Sequence, residues 1–194
     1  MLLGLVRSGG SLAIPDWVER EGVAFFEAAR DHQLRGIIAK ELDSTYAVGE
    51  RRTSWLSIPV YEKGEFVVGG YAYGGRWTPR RGALRTPPLD VRLLVGRFVQ
   101  GGQLVLEAEV PVGLSGAEKE SFLEHLDEAT KPNCPFATQP PTTGLVSWCR
   151  PDLVVTVRHA GSDPGGRLRF PVLEALRPDV PATSCTVGEQ ALAR

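Results

Sequence analysis

Cysteine and histidine are sparse, and neither is clustered. Cys134, Cys149 and Cys185 are scattered with no C-x-x-C spacing, and His32, His125 and His159 are as dispersed. That pattern excludes a disulfide framework and a zinc-type ligand set, so no metal site is expected from these residues. Long apolar runs are missing too. None approaches the roughly 20 residues that cross a bilayer, and the opening Met1-Leu2-Leu3-Gly4-Leu5-Val6-Arg7 is too short and wrongly flanked for a signal peptide. The expectation is a cytoplasmic protein without a membrane partner. Lysine is scarce as well: of 22 basic residues only Lys40, Lys63, Lys119 and Lys131 are lysine. A net charge of −1 leaves no molecule-wide field to draw in a polyanion.

What is present is an ordinary globular composition, 42% hydrophobic and 23% charged over 194 residues. That suits one domain, or one domain plus a fragment. The charge is uneven, however. Arg76, Arg80, Arg81, Arg85, Arg92 and Arg97 share their segment with a single acid, Asp90. This local excess suits either a phosphate-facing surface or a solvated arginine-rich barrel face.

The patterning predicts an amphipathic helix over Glu19–Gln33, with Val23, Phe26 and Ala29 in its stripe and Asp16 as N-cap. Arg35–Lys40 and Trp55–Tyr61 read as strands around a polar loop. From Glu65 the chain becomes β-rich, with strands at Phe66–Tyr73, from Gly82, and over Val91–Phe98, Gln103–Val110, Val146–Trp148, Leu153–Val157 and Arg167–Val172. Gly69-Gly70 inside the first of these predicts a bulge or barrel corner. One helix is inserted at Ala117–Ala129, capped by Ser115, and the Pro-rich Lys131–Thr143 is irregular. Short strands with one inserted helix predict an α+β, mainly β chain built on a small barrel, with an OB-fold the natural candidate. Beyond Val180 a frayed tail is expected.

Arg35-Gly36-Ile37-Ile38-Ala39-Lys40, followed fifteen residues later by Trp55-Leu56-Ser57-Ile58-Pro59, resembles two nucleotide-site motifs of ATP-dependent DNA ligases, E-G-x-x-x-K and W-x-K-x-K. Phe66-Val67-Val68-Gly69-Gly70-Tyr71, Trp148-Cys149-Arg150-Pro151-Asp152-Leu153-Val154 and Gly166-Arg167-Leu168-Arg169-Phe170-Pro171-Val172 are similar to later blocks of the same family, the ligase D type especially. Leu176-Arg177-Pro178-Asp179 sits where its R-x-D-K motif closes the domain. The resemblance covers about residues 1–180. It implies a remnant of the adenylation domain over 1–60, a ligase OB-fold over 61–180 and a flexible tail over 181–194.

The family's chemistry is phosphoryl transfer with ATP and Mg. Every step gathers negative charge, so fixed cations and a divalent metal are needed. Here the departures are specific. None of the four lysines is followed by x-Asp-Gly, the sequence that marks the family's nucleophile. Arg35 stands in place of the metal-associated glutamate, and a guanidinium cannot ligate metal. Ser57 and Pro59 replace two lysines, and Val180 replaces a third. Lys40, Trp55, Arg177 and Asp179 remain as nucleotide-site residues. The resemblance therefore implies a DNA-repair ligase relative with no catalytic residue of its own and no cofactor for this chain alone. Duplex or nicked DNA is its partner, held through Arg76, Arg80, Arg81, Arg85, Arg92 and Arg97. Two other readings stand beside it: half of a split ligase, completed by a chain that carries K-x-D-G, and an OB module that binds proteins.

Overall fold

The computed structural model describes residues 17–45, 48–50, 52–73, 91–114, 116–141 and 145–187. The chain divides into two compact units, Met1–Val60 and Tyr61–Arg194.

The first unit holds one helix and a two-stranded sheet. The helix α1 spans Gly22–Asp31, shorter than the predicted Glu19–Gln33. Its start has no side-chain cap: the N-cap is Glu21, and Asp16 lies outside the described residues. Its end is well defined. Gln33 takes a left-handed φ of 55°, its N–H donates to the Arg30 carbonyl and the Leu34 N–H donates to the Ala29 carbonyl. This is the Schellman arrangement, made here without the usual glycine. Of the expected stripe only Ala29 is buried; Val23 is exposed.

Strands β1 (Gly36–Lys40) and β2 (Trp55–Pro59) pair antiparallel, from Gly36 against Pro59 to Lys40 against Trp55. Val60 N–H donates to the Arg35 carbonyl and Glu41 N–H to the Ser54 carbonyl. Hydrogen-bonded pairs alternate along an antiparallel ladder, so Pro59 faces Gly36 at a position where its missing N–H breaks no bond. Gly36 is required there: a Cβ would lie 2.3 Å from the Ile58 carbonyl oxygen.

The second unit is an OB-fold barrel. Its strands are β3 (Glu62–Tyr73), β4 (Val91–Phe98), β5 (Leu104–Pro111), β6 (Thr130–Lys131), β7 (Val146–Cys149), β8 (Val154–His159) and β9 (Val172–Leu176), with helix α2 (Gly116–Glu128) between β5 and β6. The long β3 organises it. One edge pairs with β4, while the other pairs first with β8 and then, past its bend, with β7. The bend is the predicted glycine pair. The register slips between Val68 and Gly70, and a Cβ on Gly69 would lie 2.5 Å from the Phe136 ring.

Alternation along the strands divides the apolar residues between two cores. Phe66, Val68, Leu93, Val95, Val155 and Val157 form the barrel interior, covered by Phe122 and Leu126 of α2. Tyr71 ties that helix down, its hydroxyl donating to Asp127 at 2.5 Å. The opposite sheet face, Val67, Leu94, Leu104 and Val154, is buried under Phe136 and Cys185. Ser115, the expected cap of α2, and the strand from Gly82 lie outside the described residues.

Two expectations are corrected. The last strand is Val172–Leu176, not Arg167–Val172. Residues 160–169 form a hairpin instead, with Ala160 N–H bonded to the Arg169 carbonyl and Asp163 N–H to the Arg167 carbonyl. Phe170, at φ 50°, then turns the chain, and Pro171 offers no donor with which to continue pairing. The segment 181–187, expected to fray, is packed. Ala182–Ser184 forms a 3₁₀ turn, Cys185 is buried, and Phe98 bonds through both its N–H and its carbonyl to Cys185 and Val187.

Candidate functional site

In the first unit, alternation places Gly36, Ile38 and Lys40 of β1 on the same face as Pro59, Ser57 and Trp55 of β2. Register confirms the grouping: Lys40 opposes Trp55 and Ile38 opposes Ser57. The Lys40 ammonium lies 4.1 Å from the centre of the Trp55 ring, a cation–π contact. The motif positions 40, 55, 57 and 59 thus form one surface. Among them Lys40 supplies the only positive charge, where the family pattern has three lysines. Arg35, just before the strand, is exposed. It presents only donors, and no group of three or more His, Cys, Asp or Glu among the described residues is placed to hold a metal. The residues at these positions do not fit a magnesium site.

In the second unit, Arg177 follows β9 and is fixed by a backbone bond from its N–H to the Val154 carbonyl. Its guanidinium makes a bidentate pair with Asp179, Nε at 2.9 Å and Nη2 at 2.8 Å. Nη1 donates to Glu65 of β3 at 2.7 Å. The Arg177 hydrogen bonds lower the Asp179 carboxyl to about 2, and Asp179 in turn raises the guanidinium further above its ordinary value. Both acidic neighbours belong to the chain itself. Glu65 was not apparent from sequence, because it lies 112 residues from its partner.

The arginines expected on DNA separate. Arg76, Arg80, Arg81 and Arg85 lie outside the described residues. Arg92 is half exposed on β4, 3.8 Å from Glu109. Arg97 is engaged internally. Its Nε and Nη2 hold the two oxygens of buried Glu107 at 2.8 and 2.6 Å, and its guanidinium lies 5.0 Å from the Phe66 ring centre. That guanidinium is titrated even less readily than usual, chiefly because of the Glu107 bond. A charge neutralised this way adds little to a phosphate-binding surface. The neighbouring outer face of β3, β8 and β9 is balanced too: Glu174 bridges Lys63 and Arg158.

An OB barrel, in a chain whose β1–β2 hairpin resembles ligase motifs, is the architecture found in ligase domains. Residues 91–180 match the family model of the ATP dependent DNA ligase C terminal region. The multifunctional non-homologous end joining protein LigD of Mycolicibacterium smegmatis is 33% identical over 187 residues, a match that covers 92% of this chain and 22% of that protein. The crystal structure of the ligase domain from M. tuberculosis LigD superposes with a TM-score of 0.56 at 32% identity, covering 92% of this chain and 55% of that one. A mycobacterial DNA ligase D complexed with ATP and MES gives a TM-score of 0.52 at 31% identity.

The chain corresponds to the C-terminal part of an ATP-dependent DNA ligase. Its similarity is to the C-terminal part of a LigD-type ligase domain, and it spans about a fifth (22%) of the curated relative's length.

Proposed function

We propose that this chain is a ligase-derived DNA-binding module that does not itself seal nicks. The observation that carries the reading is the β1–β2 face. Its register brings positions 40, 57 and 59 together, and only Lys40 is cationic. Phosphoryl transfer depends on preorganised positive charge, and removing a single stabilising donor typically costs about 10²–10³ in rate. Ser57 and Pro59 remove two, and Arg35 reverses a third charge. Arg177, the remaining motif cation of the second unit, is paired with Asp179 and Glu65.

DNA contact, in this reading, is electrostatic and indifferent to sequence. It runs through Arg92 and the arginines at 76, 80, 81 and 85, while Arg97 stabilises the barrel. The decisive experiment has two arms. Purified protein incubated with α-labelled ATP and Mg, with and without nicked duplex, is expected to show neither a covalent adenylate nor a joined strand. A gel-shift titration is expected to show weak binding that fades as salt rises. A labelled lysine or a sealed nick ends the non-catalytic reading, and absence of any shift at low salt ends the DNA-binding one.

A second reading, completion by a chain that carries K-x-D-G, draws on the exposure of Leu56 and Ile58, which share the sheet face opposite Lys40 and Trp55 in the first unit. Apolar side chains grouped on a small sheet are the usual mark of a surface that another polypeptide covers. Co-purification followed by adenylation of the second chain is the test.

A further inference from the structure

We propose that His159, buried against Phe66 beside Glu62, is an acid-sensitive latch that holds the 160–169 hairpin against the barrel. His159 is the last residue of β8 and pairs with Glu62 across the ladder. Its side chain is buried, and its Nδ1 is enclosed with no hydrogen-bond partner. The nearest acid is Glu62, whose Oε1 lies 3.5 Å from that nitrogen but whose side chain is 64% exposed and free to move. The ring packs edge-on against Phe66 with centroids 5.7 Å apart, and Arg97 covers that same phenyl ring.

The charges that act on the imidazole come from three strands: Glu62 from β3, Arg97 from β4 and Glu107 from β5. Glu107 has a double role. Its carboxylate holds Arg97, and its backbone carbonyl accepts from Leu168 N–H at 2.9 Å, docking the hairpin. The hairpin's other root is Ala160, joined directly to His159. Protonating the imidazole adds a second cation against the Phe66 ring that Arg97 already covers. The new charge opposes Arg97, the partner of the residue that anchors the hairpin, and among the described residues exposed Glu62 is placed to swing in and offset it.

Burial holds the imidazole below its ordinary value and Arg97 reinforces it, while Glu62, the Gly161 backbone and Glu107 act in the opposite sense. The unfolded chain therefore takes up the proton first. Stability is complete above the ordinary histidine range of about 6.5 and falls as pH drops below it.

The test uses the full chain. Proton NMR follows the His159 ring from pH 8 to 5. Its midpoint is expected below the ordinary histidine value of about 6.5. Hydrogen exchange at Leu168 and Arg169, corrected for the intrinsic rate, is expected to lose protection as pH falls. His159→Gln should abolish that acid-dependent loss. Glu62→Gln should move the ring's midpoint further down, and the pH at which hairpin protection is lost should move with it. A His159 midpoint at or above the ordinary histidine value overturns the proposal, as does a hairpin equally protected throughout. Acid-dependent loss that persists in His159→Gln, or a midpoint that Glu62→Gln leaves in place or raises, also overturns it. Should His159→Gln fail to fold, the wild-type titration and exchange still decide.

Discussion

Arg97 on β4 and Glu107 on β5 form a bidentate ion pair at 2.8 and 2.6 Å, with the acid 6% exposed. Glu107 is also the residue the ladder skips: Val95 pairs with Ala108, Gly96 with Leu106, and the bulge between them turns the carboxylate toward Arg97. Removing the arginine strands a buried negative charge. Arg97→Ala is expected to destabilise the barrel by about 3 kcal/mol or more. Arg150→Ala, which breaks an exposed pair with Asp152 at 3.3 Å, is expected to cost under about 1 kcal/mol. Urea unfolding of both variants checks the contrast.

Gly96 sits inside that bulge, where a Cβ would lie 1.8 Å from the Val105 carbonyl oxygen. Backbone cannot yield as a side-chain tip can. Gly96→Ala is expected to lower stability by at least about 2 kcal/mol. Gly113→Ala meets nothing within 4 Å, and its effect is expected within about 1 kcal/mol of neutral. Melting temperatures of the pair give the comparison.

Among the described residues of Met1–Val60 only Ala29 is a buried hydrophobic, whereas the second unit has two cores. Local opening follows the density of buried apolar contact. Brief chymotrypsin digestion is therefore expected to consume the first unit and leave a resistant product that starts near Tyr61. Equal survival of Trp17–Val60 contradicts this.

Asp179 is held at about 2 by Arg177. Its folded value lies below the ordinary carboxylate value, so the stability it adds is present above about 3.9. That contribution is lost as pH falls from there through the folded value. A carbon-detected titration is expected to show the Asp179 carboxylate still ionised at pH 3. Arg177→Gln should return it toward the ordinary range.

Much of this was legible in the sequence. Alternation located β4 and β5 to within a residue, and Gly69-Gly70 marked the bend of β3, because a bulge and a close ring contact both exclude a side chain there. Alternation also carried an unused signal. Val91, Leu93 and Val95 point inward, and Arg97 continues that parity, so a buried acid was required. What hid the acid was the bulge, which sequence does not number. The Arg177–Glu65 contact was hidden for a different reason: only the closed barrel brings β3 beside the end of β9. Residues 167–170 looked like a strand by composition, but a left-handed Phe170 ahead of Pro171 ends the pairing. The segment after Val180 looked idle because small polar residues give no periodicity, yet one thiol, Cys185, anchors it.

The boundary of a recombinant fragment depends on that anchor. The family match stops at residue 180, while Phe98 still relies on Cys185 and Val187 for its backbone partners. A clone trimmed to the match would uncover Leu94 and Leu104 together. Inclusion bodies obtained from it would reflect a cut made through the lining of the molecule, and expression through Val187 is the smallest design that leaves this lining whole.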